Sequence, residues 1–231
     1  MTYFVSDIHG EYELFLKLLS KIGFSESDEM YVLGDIIDKG KSSVRLLRYI
    51  SRRPNIRCII GNHELAFLDF YHSILEESPE DFDEVLRRLG RYFPEDGHLL
   101  DWDTVDWLEA LPAYIENEDF ICVHAGAPIG AGGELLPLSS ADVRELVNDR
   151  RFKNPTVLHR SPKCVLFGHT ETAAITGEPR IITYKRGAGE AKSIRNFYKI
   201  HLDCGAWHTG VLGCFSLDML KTIYISGGKG C

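Results

Sequence analysis

Hydrophobic positions along the chain fall into two kinds of run. Short unbroken apolar stretches alternate with longer stretches in which apolar residues return every three or four positions. The first kind predicts buried strands and the second amphipathic helices. Tyr3–Ser6, Met30–Leu33 and Arg57–Ile60 read as strands. Between them Leu14, Leu18 and Ile22 recur at helical spacing. So do Val44, Leu47 and Ile50, with Arg45, Arg48 and Arg52 on the opposite side. Such a β-α-β-α-β series predicts a parallel sheet with right-handed crossovers. A helical insertion is expected at about 73–112. There an acidic run at 76–84 and a helix start at Ser78-Pro79 lead into a helix that buries Phe82, Val85, Leu89 and Phe93. A further helix near 104–111 carries Trp107, Leu108 and Leu111 and stops at Pro112. Past residue 118, strands at 119–123, 163–167, 180–184, 198–203, 211–217 and 222–226 predict a second, more antiparallel sheet packed on the first. The basic, Gly/Ala-rich segment 185–196 reads as a mobile loop. The fold class is therefore α/β, with two mixed sheets packed as a sandwich and flanked by helices.

Length and charge narrow the choice of function. A chain of 231 residues suggests one catalytic domain spanning 1–231, insertion included. The formal charge of −8 argues against nucleic acid as the main partner, because that needs a basic footprint. No apolar run approaches the ~18–20 residues that span a bilayer. The start, MTYFVSDIHG, lacks a basic segment followed by a long apolar one. No membrane partner and a cytoplasmic location are the expectations. Of six cysteines, Cys58, Cys122, Cys164 and Cys214 lie in apolar runs and read as buried thiols. Cys231, at the terminus, reads as exposed.

The chemistry lies where the apolar runs stop. Tyr-Phe-Val-Ser is followed by Asp7-Ile-His9-Gly10, and Tyr-Val-Leu-Gly by Asp35-Ile-Ile-Asp38-Lys39-Gly40. Cys-Ile-Ile-Gly is followed by Asn62-His63-Glu64, Phe-Ile-Cys-Val by His124-Ala-Gly126, and Val-Leu-Phe-Gly by His169-Thr170. A single Asp, Asn or His after a strand is ordinarily a turn or helix cap. Five such endings in one chain are a different matter. In parallel units the C-terminal strand ends share one sheet edge, where ligands collect. A mixed set of carboxylate, amide and imidazole donors suits two divalent metals such as Mn, Fe, Co or Zn. His72, His98, His159 and His201 lack this context and read as structural, whereas His208 in CGAWHTG is a candidate for lining the pocket. Competing signatures fail. No Cys has an Arg six positions on, there is no G-x-S-x-G, and His63-Glu64 lacks the second His of H-E-x-x-H.

These motifs, in this order, resemble the calcineurin-like metallophosphoesterases. More closely they look like the PPP-type serine/threonine protein phosphatases in their bacterial or phage-like form. The pattern D-x-H-G … G-D-x-x-D-x-G … G-N-H-E is complete as Asp7–Gly10, Gly34–Gly40 and Gly61–Glu64, with H-A-G at 124–126 and G-H-T at 168–170. By position, the resemblance implies that Asp7, His9 and Asp35 hold one metal. Asp35 bridges to a second, joined by Asn62, His124 and His169. His63 becomes the general acid, with Asp38 as its partner. Lys39 stands where the family usually has Arg and binds phosphate as a point charge. Asn62 also faces the substrate, and a second phosphate-binding Arg is expected at Arg150 or Arg151. The implied fold is that of the metallophosphoesterases. The implied cofactors are two divalent ions, Mn2+ first, with Fe or Zn as alternatives.

The implied activity is hydrolysis of phosphoserine and phosphothreonine in proteins by a hydroxide that bridges the metals. The alternative is a dinucleoside polyphosphate hydrolase of the Ap4A type. Glu64 after Gly-Asn-His and an intact Asp38 favour the phosphatase. The substrate is accordingly a phosphorylated protein or a phosphorylated small molecule.

Overall fold

The alternation in the N-terminal part of the chain persists in three dimensions. In the computed structural model, which describes residues 1–77, 81–90, 92–93 and 100–227, the opening elements are β1 (Thr2–Val5), α1 (Tyr12–Ile22), β2 (Glu29–Val32), α2 (Ser43–Ser51) and β3 (Ile56–Cys58). β1, β2 and β3 pair in parallel, with Val5 level with Val32 and Val32 level with Cys58. Next come α3 (Asn62–Glu76), α4 (Phe82–Gly90) and α5 (Trp102–Glu109), then β4 (Tyr114–Glu116) and β5 (Phe120–Val123). The chain continues through α6 (Val143–Asn148), β6 (Cys164–Phe167), α7 (Ala173–Thr176), β7 (Ile182–Lys185) and β8 (Phe197–His201). It closes with α8 (Ala206–Thr209), β9 (Val211–Ser216) and β10 (Lys221–Ser226).

Two five-stranded sheets result, ordered β10-β9-β1-β2-β3 and β4-β5-β6-β8-β7. The expected sandwich is present, but its second sheet differs from the expectation of a more antiparallel one. β5, β6 and β8 run parallel, and only the edge strands β4 and β7 oppose them. The late hairpin β9–β10 returns to the first sheet, where β9 pairs antiparallel with β1. Apolar runs announce strands without announcing partners, and pairing is decided by which face a strand can bury. β4 is not announced by the sequence, because its half-exposed Tyr-Ile-Glu carries no apolar run.

Three apolar clusters hold the layers together. Phe4, Tyr31, Leu33 and Ile59 from the first sheet meet Phe120, Cys122, Leu166 and Ile200 from the second. The other face of the first sheet is covered by Phe15, Leu18, Leu47 and Ile50, and by Phe67, Val85, Leu89, Val105 and Leu108 of α3, α4 and α5. The outer face of the second sheet packs on Leu138, Leu146 and Phe152. Burial at roughly 25 cal/mol per Å2 makes these layers the main stabilising term. Cys58, Cys122, Cys164, Cys204 and Cys214 are buried free thiols. Segment 185–196 is a connection ending in a short 3-10 turn at Ile194–Asn196. The expected helix start at Ser78-Pro79, the side chain of Phe82, His98 and Cys231 lie outside the described residues. No helix among the described residues is long and apolar enough to cross a membrane.

Candidate active site

The topology places two parallel trios of strands so that their C-terminal ends share one edge of the sandwich. β1 delivers Asp7 and His9, β2 delivers Asp35, Asp38 and Lys39, and β3 delivers Asn62 and His63. β5 and β6 deliver His124 and His169. The turns that bring these groups inward are tight. Asp7, His9, Asp35, Asp38, Lys39 and His169 all adopt positive φ, between 47° and 71°. That conformation costs an L-residue on the order of 1 kcal/mol or more, and such outliers gather at functional sites. Backbone bonds between loops hold them there: Asp7 N–H donates to Gly34 O (3.2 Å), His9 N–H to Asp35 O (2.9 Å) and Gly10 N–H to Ile36 O (2.7 Å). Gly34 is needed because a Cβ would lie 2.8 Å from the His124 ring and 2.6 Å from Gly61.

Asp35 is the hub of two groups whose ligand atoms lie within 4.8 Å of one another: His9, Asp35 and His63, and Asp35, His124 and His169. The ring nitrogens are oriented by their outer bonds. His124 Nδ1 donates to Leu33 O at 2.8 Å, which leaves Nε2 as a lone pair. That lone pair lies 3.0 Å from Asn62 Oδ1 and 3.4 Å from Asp35 Oδ1. Three acceptors thus converge with no hydrogen between them, an arrangement that a cation satisfies. His9 Nδ1 likewise donates to Ile37 O at 2.8 Å. Its Nε2 faces Asp35 Oδ2 at 3.5 Å and receives the Lys39 ammonium at 2.9 Å. A positive charge therefore already stands on the His9 lone pair. His169 Nε2 is buried with no hydrogen-bond partner among the described residues, while its Nδ1 lies 2.9 Å from Asn62 Oδ1.

The proton affinities fit the same picture. Burial pushes His9 and His169 down to about 4, so both imidazoles are neutral near pH 7 and able to donate lone pairs. Burial raises the Asp7 carboxyl well above the ordinary range, and Asp203 and then Asp35 add to the rise. Burial also drives Asp35 upward, but His124, His9 and His63 more than offset it, and its net shift is downward. Asp7 itself accepts the His169 N–H at 3.1 Å and the hydroxyl of Ser6. Buried carboxylates this close ionise together only beside compensating cations. The donor set therefore fits divalent metals.

Beside the hub lies an acid–base pair. His63 Nδ1 and Asp38 Oδ2 are 2.7 Å apart, and His63 Nε2 is 3.9 Å from Asp35 Oδ2. Burial alone would lower the His63 pKa, but the Asp38 bond and the Asp35 charge win and raise it. Tyr92 O–H reaches Asp38 Oδ2 at 3.4 Å. The two expected arginines separate: the charge of Arg150 reaches His169, whereas Arg151 has an 89% exposed side chain paired with Asp149. His208 is exposed and bonds Glu171 at 3.1 Å, so it lies at the rim rather than in the hub.

Two buried acids have parts that the motifs do not announce: Glu64, which the motifs use only to separate two substrate classes, and Asp203. Glu64 is fully buried and accepts N–H bonds from Asp35, Ile36, Ile37 and Gly61 at 2.8–3.1 Å. It clamps the loop that carries the hub. Asp203, buried beyond the end of β8, is raised to about 7 by burial. The apolar run of β8 breaking into an acid was a sixth instance of the pattern that marked the other five.

The calcineurin-like phosphoesterase family model matches residues 2–204. A symmetrical bis(5'-nucleosyl)-tetraphosphatase of Buchnera aphidicola subsp. Schizaphis graminum is 40% identical over 129 residues, which is 54% of this chain and 44% of that protein. One of Haemophilus ducreyi is 33% identical over 129 residues with the same coverage. The chain thus spans less than half the length of the curated relatives it matches. Among solved structures, a provisionally assigned diadenosine tetraphosphatase has TM-score 0.72 at 20% identity and covers 99% of this chain and 94% of its own. A metallophosphoesterase from Sphaerobacter thermophilus has TM-score 0.58 at 18% identity, covering 98% and 87%.

Proposed function

The chain belongs to the calcineurin-like phosphoesterase family, and within it we propose that it is a metal-dependent hydrolase of dinucleoside polyphosphates. Diadenosine tetraphosphate, split symmetrically into two molecules of ADP, is the first substrate to test. The hydrolytic chemistry is supported by lone pairs of Asn62, His124 and His169 gathered around Asp35. The substrate class is carried by one observation, the name borne by the relatives matched over 54% of the chain. This reverses the order expected from the motifs, in which the protein phosphatase came first.

In this reading Asp7, His9 and Asp35 hold one cation, and Asp35, Asn62, His124 and His169 hold a second, Mn2+ being the first choice. Divalent ions bound there would lower the pKa of a shared water and neutralise phosphoryl oxygens. The residues do the rest. Lys39 and Arg150 draw in and orient the phosphates. When Lys39 turns to substrate, it gives up the His9 lone pair it now covers. Asp38 fixes one imidazole nitrogen of His63 and leaves the other to hydrogen-bond a phosphate oxygen. Residues 73–112 are read as a helical insertion within one catalytic domain. The buried free thiols support a cytoplasmic setting.

A second reading has its own observation. An anhydride leaving group such as ADP is weakly basic and departs without a proton, whereas a serine alkoxide needs one. The Asp38–His63 pair therefore favours ester hydrolysis, and with it a phosphoserine or phosphothreonine protein. The test is parallel turnover by Mn2+-loaded protein of diadenosine tetraphosphate and a phosphoserine peptide, with products separated. Preferential release of ADP is expected. A strong preference for the peptide overturns the proposal and installs the second reading.

A further inference from the structure

We propose that Trp207 is the platform on which a nucleobase of the substrate stacks, so that this ring sets the preference for nucleotides over simple phosphate esters. The inference rests on the dinucleoside polyphosphate reading above. Trp207 sits on α8, a single turn between Gly205 and Gly210, both left-handed at φ 71°. The turn is pinned on several sides. Asp203 accepts the Gly205 N–H at 2.8 Å, and the Thr209 hydroxyl donates to Cys204 O at 2.8 Å and Gly205 O at 2.9 Å. His208 is bonded to Glu171 at 3.1 Å. Gly205 holds a positive φ that L side chains rarely adopt, which favours glycine at this turn.

Inside this frame Ala206 is buried, and Trp207 is left half-buried. The Lys39 ammonium lies 5.5 Å from the centre of its indole. The same ammonium is 2.9 Å from His9 Nε2. One lysine therefore separates a rigid, partly open indole from the proposed metal-holding cluster. Hydrolysis of a phosphate makes no use of a large apolar ring there. A nucleotide does: with its phosphates on Lys39, the sugar leads the base over the indole, and the ring face covered by the ammonium passes to the base. Aromatic rings stack any base and hold it without hydrogen-bond readout. A different use of the same contact is that Trp207 merely steadies Lys39 through the cation–π attraction. That would affect every phosphate substrate alike.

The two uses separate in a comparison of wild type, Trp207→Phe and Trp207→Ala on diadenosine tetraphosphate and p-nitrophenyl phosphate. We expect Trp207→Ala to raise KM for the dinucleotide roughly ten-fold more than KM for the aryl phosphate, with Trp207→Phe in between. Equal rises, or none, overturn the proposal. Binding without turnover supplies a second readout. ADP should quench tryptophan emission in the wild type, and the quench should vanish in Trp207→Phe, which keeps an aromatic ring and the fold. A full quench in that variant overturns the proposal. If wild type hydrolyses the aryl phosphate but not diadenosine tetraphosphate, the substrate reading fails. The ADP quench then decides separately whether Trp207 is a nucleotide platform.

Discussion

At the scale of single residues, the site divides its polar groups by what each can reach. His63 is tied to Asp38 and leans on Asp35, so its proton is available at the edge of the hub. His63→Asn should slow release of serine from a phosphoserine substrate by 10²–10⁴-fold, in the range of general-acid catalysis. It should slow an activated aryl phosphate or an anhydride far less. Steady-state rates on the three substrates check this, and equal slowing removes His63 from the acid role. Asn62 and His124 face the same point as Asp35, and replacing either by Ala should lower the metal retained after desalting, measured by elemental analysis. Glu64 behaves differently. Its four N–H donors are backbone groups, so Glu64→Gln would turn an amide NH2 toward donors that need an acceptor. A loss of about 1–3 kcal/mol in urea unfolding is expected.

At the scale of elements, one lysine ties a strand to the segment that follows Arg150. Lys199 on β8 is fully buried and donates to the carbonyls of Phe152, Asn154 and Val157 at 2.5–2.8 Å. Burial pushes its ammonium down to about 8. The segment it holds follows Arg150, and Phe152 packs where any Cβ at Gly126 would collide with it. Lys199→Met should remove about 2 kcal/mol, because three carbonyls lose their donor, and a lower urea midpoint would register it. Two neighbouring histidines set the acid limit. Burial pushes His201 down to about 3 and His159 to about 4. Between those values and the ordinary 6.5 the unfolded chain binds more protons. The stability they contribute is complete above about 6.5 and is lost as pH falls through 4 and then 3. Unfolding midpoints at pH 7 and pH 4 should therefore differ less in His201→Gln than in wild type.

At the scale of the molecule, two parallel trios of strands pack face to face with their C-terminal ends at one edge, and each supplies part of the candidate site. Asp7, Asp35 and Asp203 are all buried there. Removing metal with a chelator should abolish turnover and lower the melting temperature, since buried carboxylates then repel one another. Restoring Mn2+ to a hundred times its dissociation constant should return about 2.7 kcal/mol. A melting temperature indifferent to chelator and Mn2+ would contradict metal binding at the hub. On the proposed reading the net charge of −8 is no obstacle to a phosphate substrate, because what the phosphate would meet is the local field of bound cations, Lys39 and Arg150.

The sequence by itself determined which polar residues end the apolar runs and roughly where the strands lie. Apolar runs and their polar stops are local features, and the parallel rule converts them into a common edge without coordinates. Asp7, His9, Asp35, Asn62, His63, His124 and His169 were legible for that reason. Only the tertiary structure decided that β9 joins β1 and that Lys39 caps the His9 lone pair. It also decided that Glu64 clamps the backbone of the Asp35 loop, and that Trp207 stands beside Lys39. Each depends on contacts between segments far apart in the chain, whose energies come from burial and hydrogen bonding across the fold, and no spacing along the sequence records them.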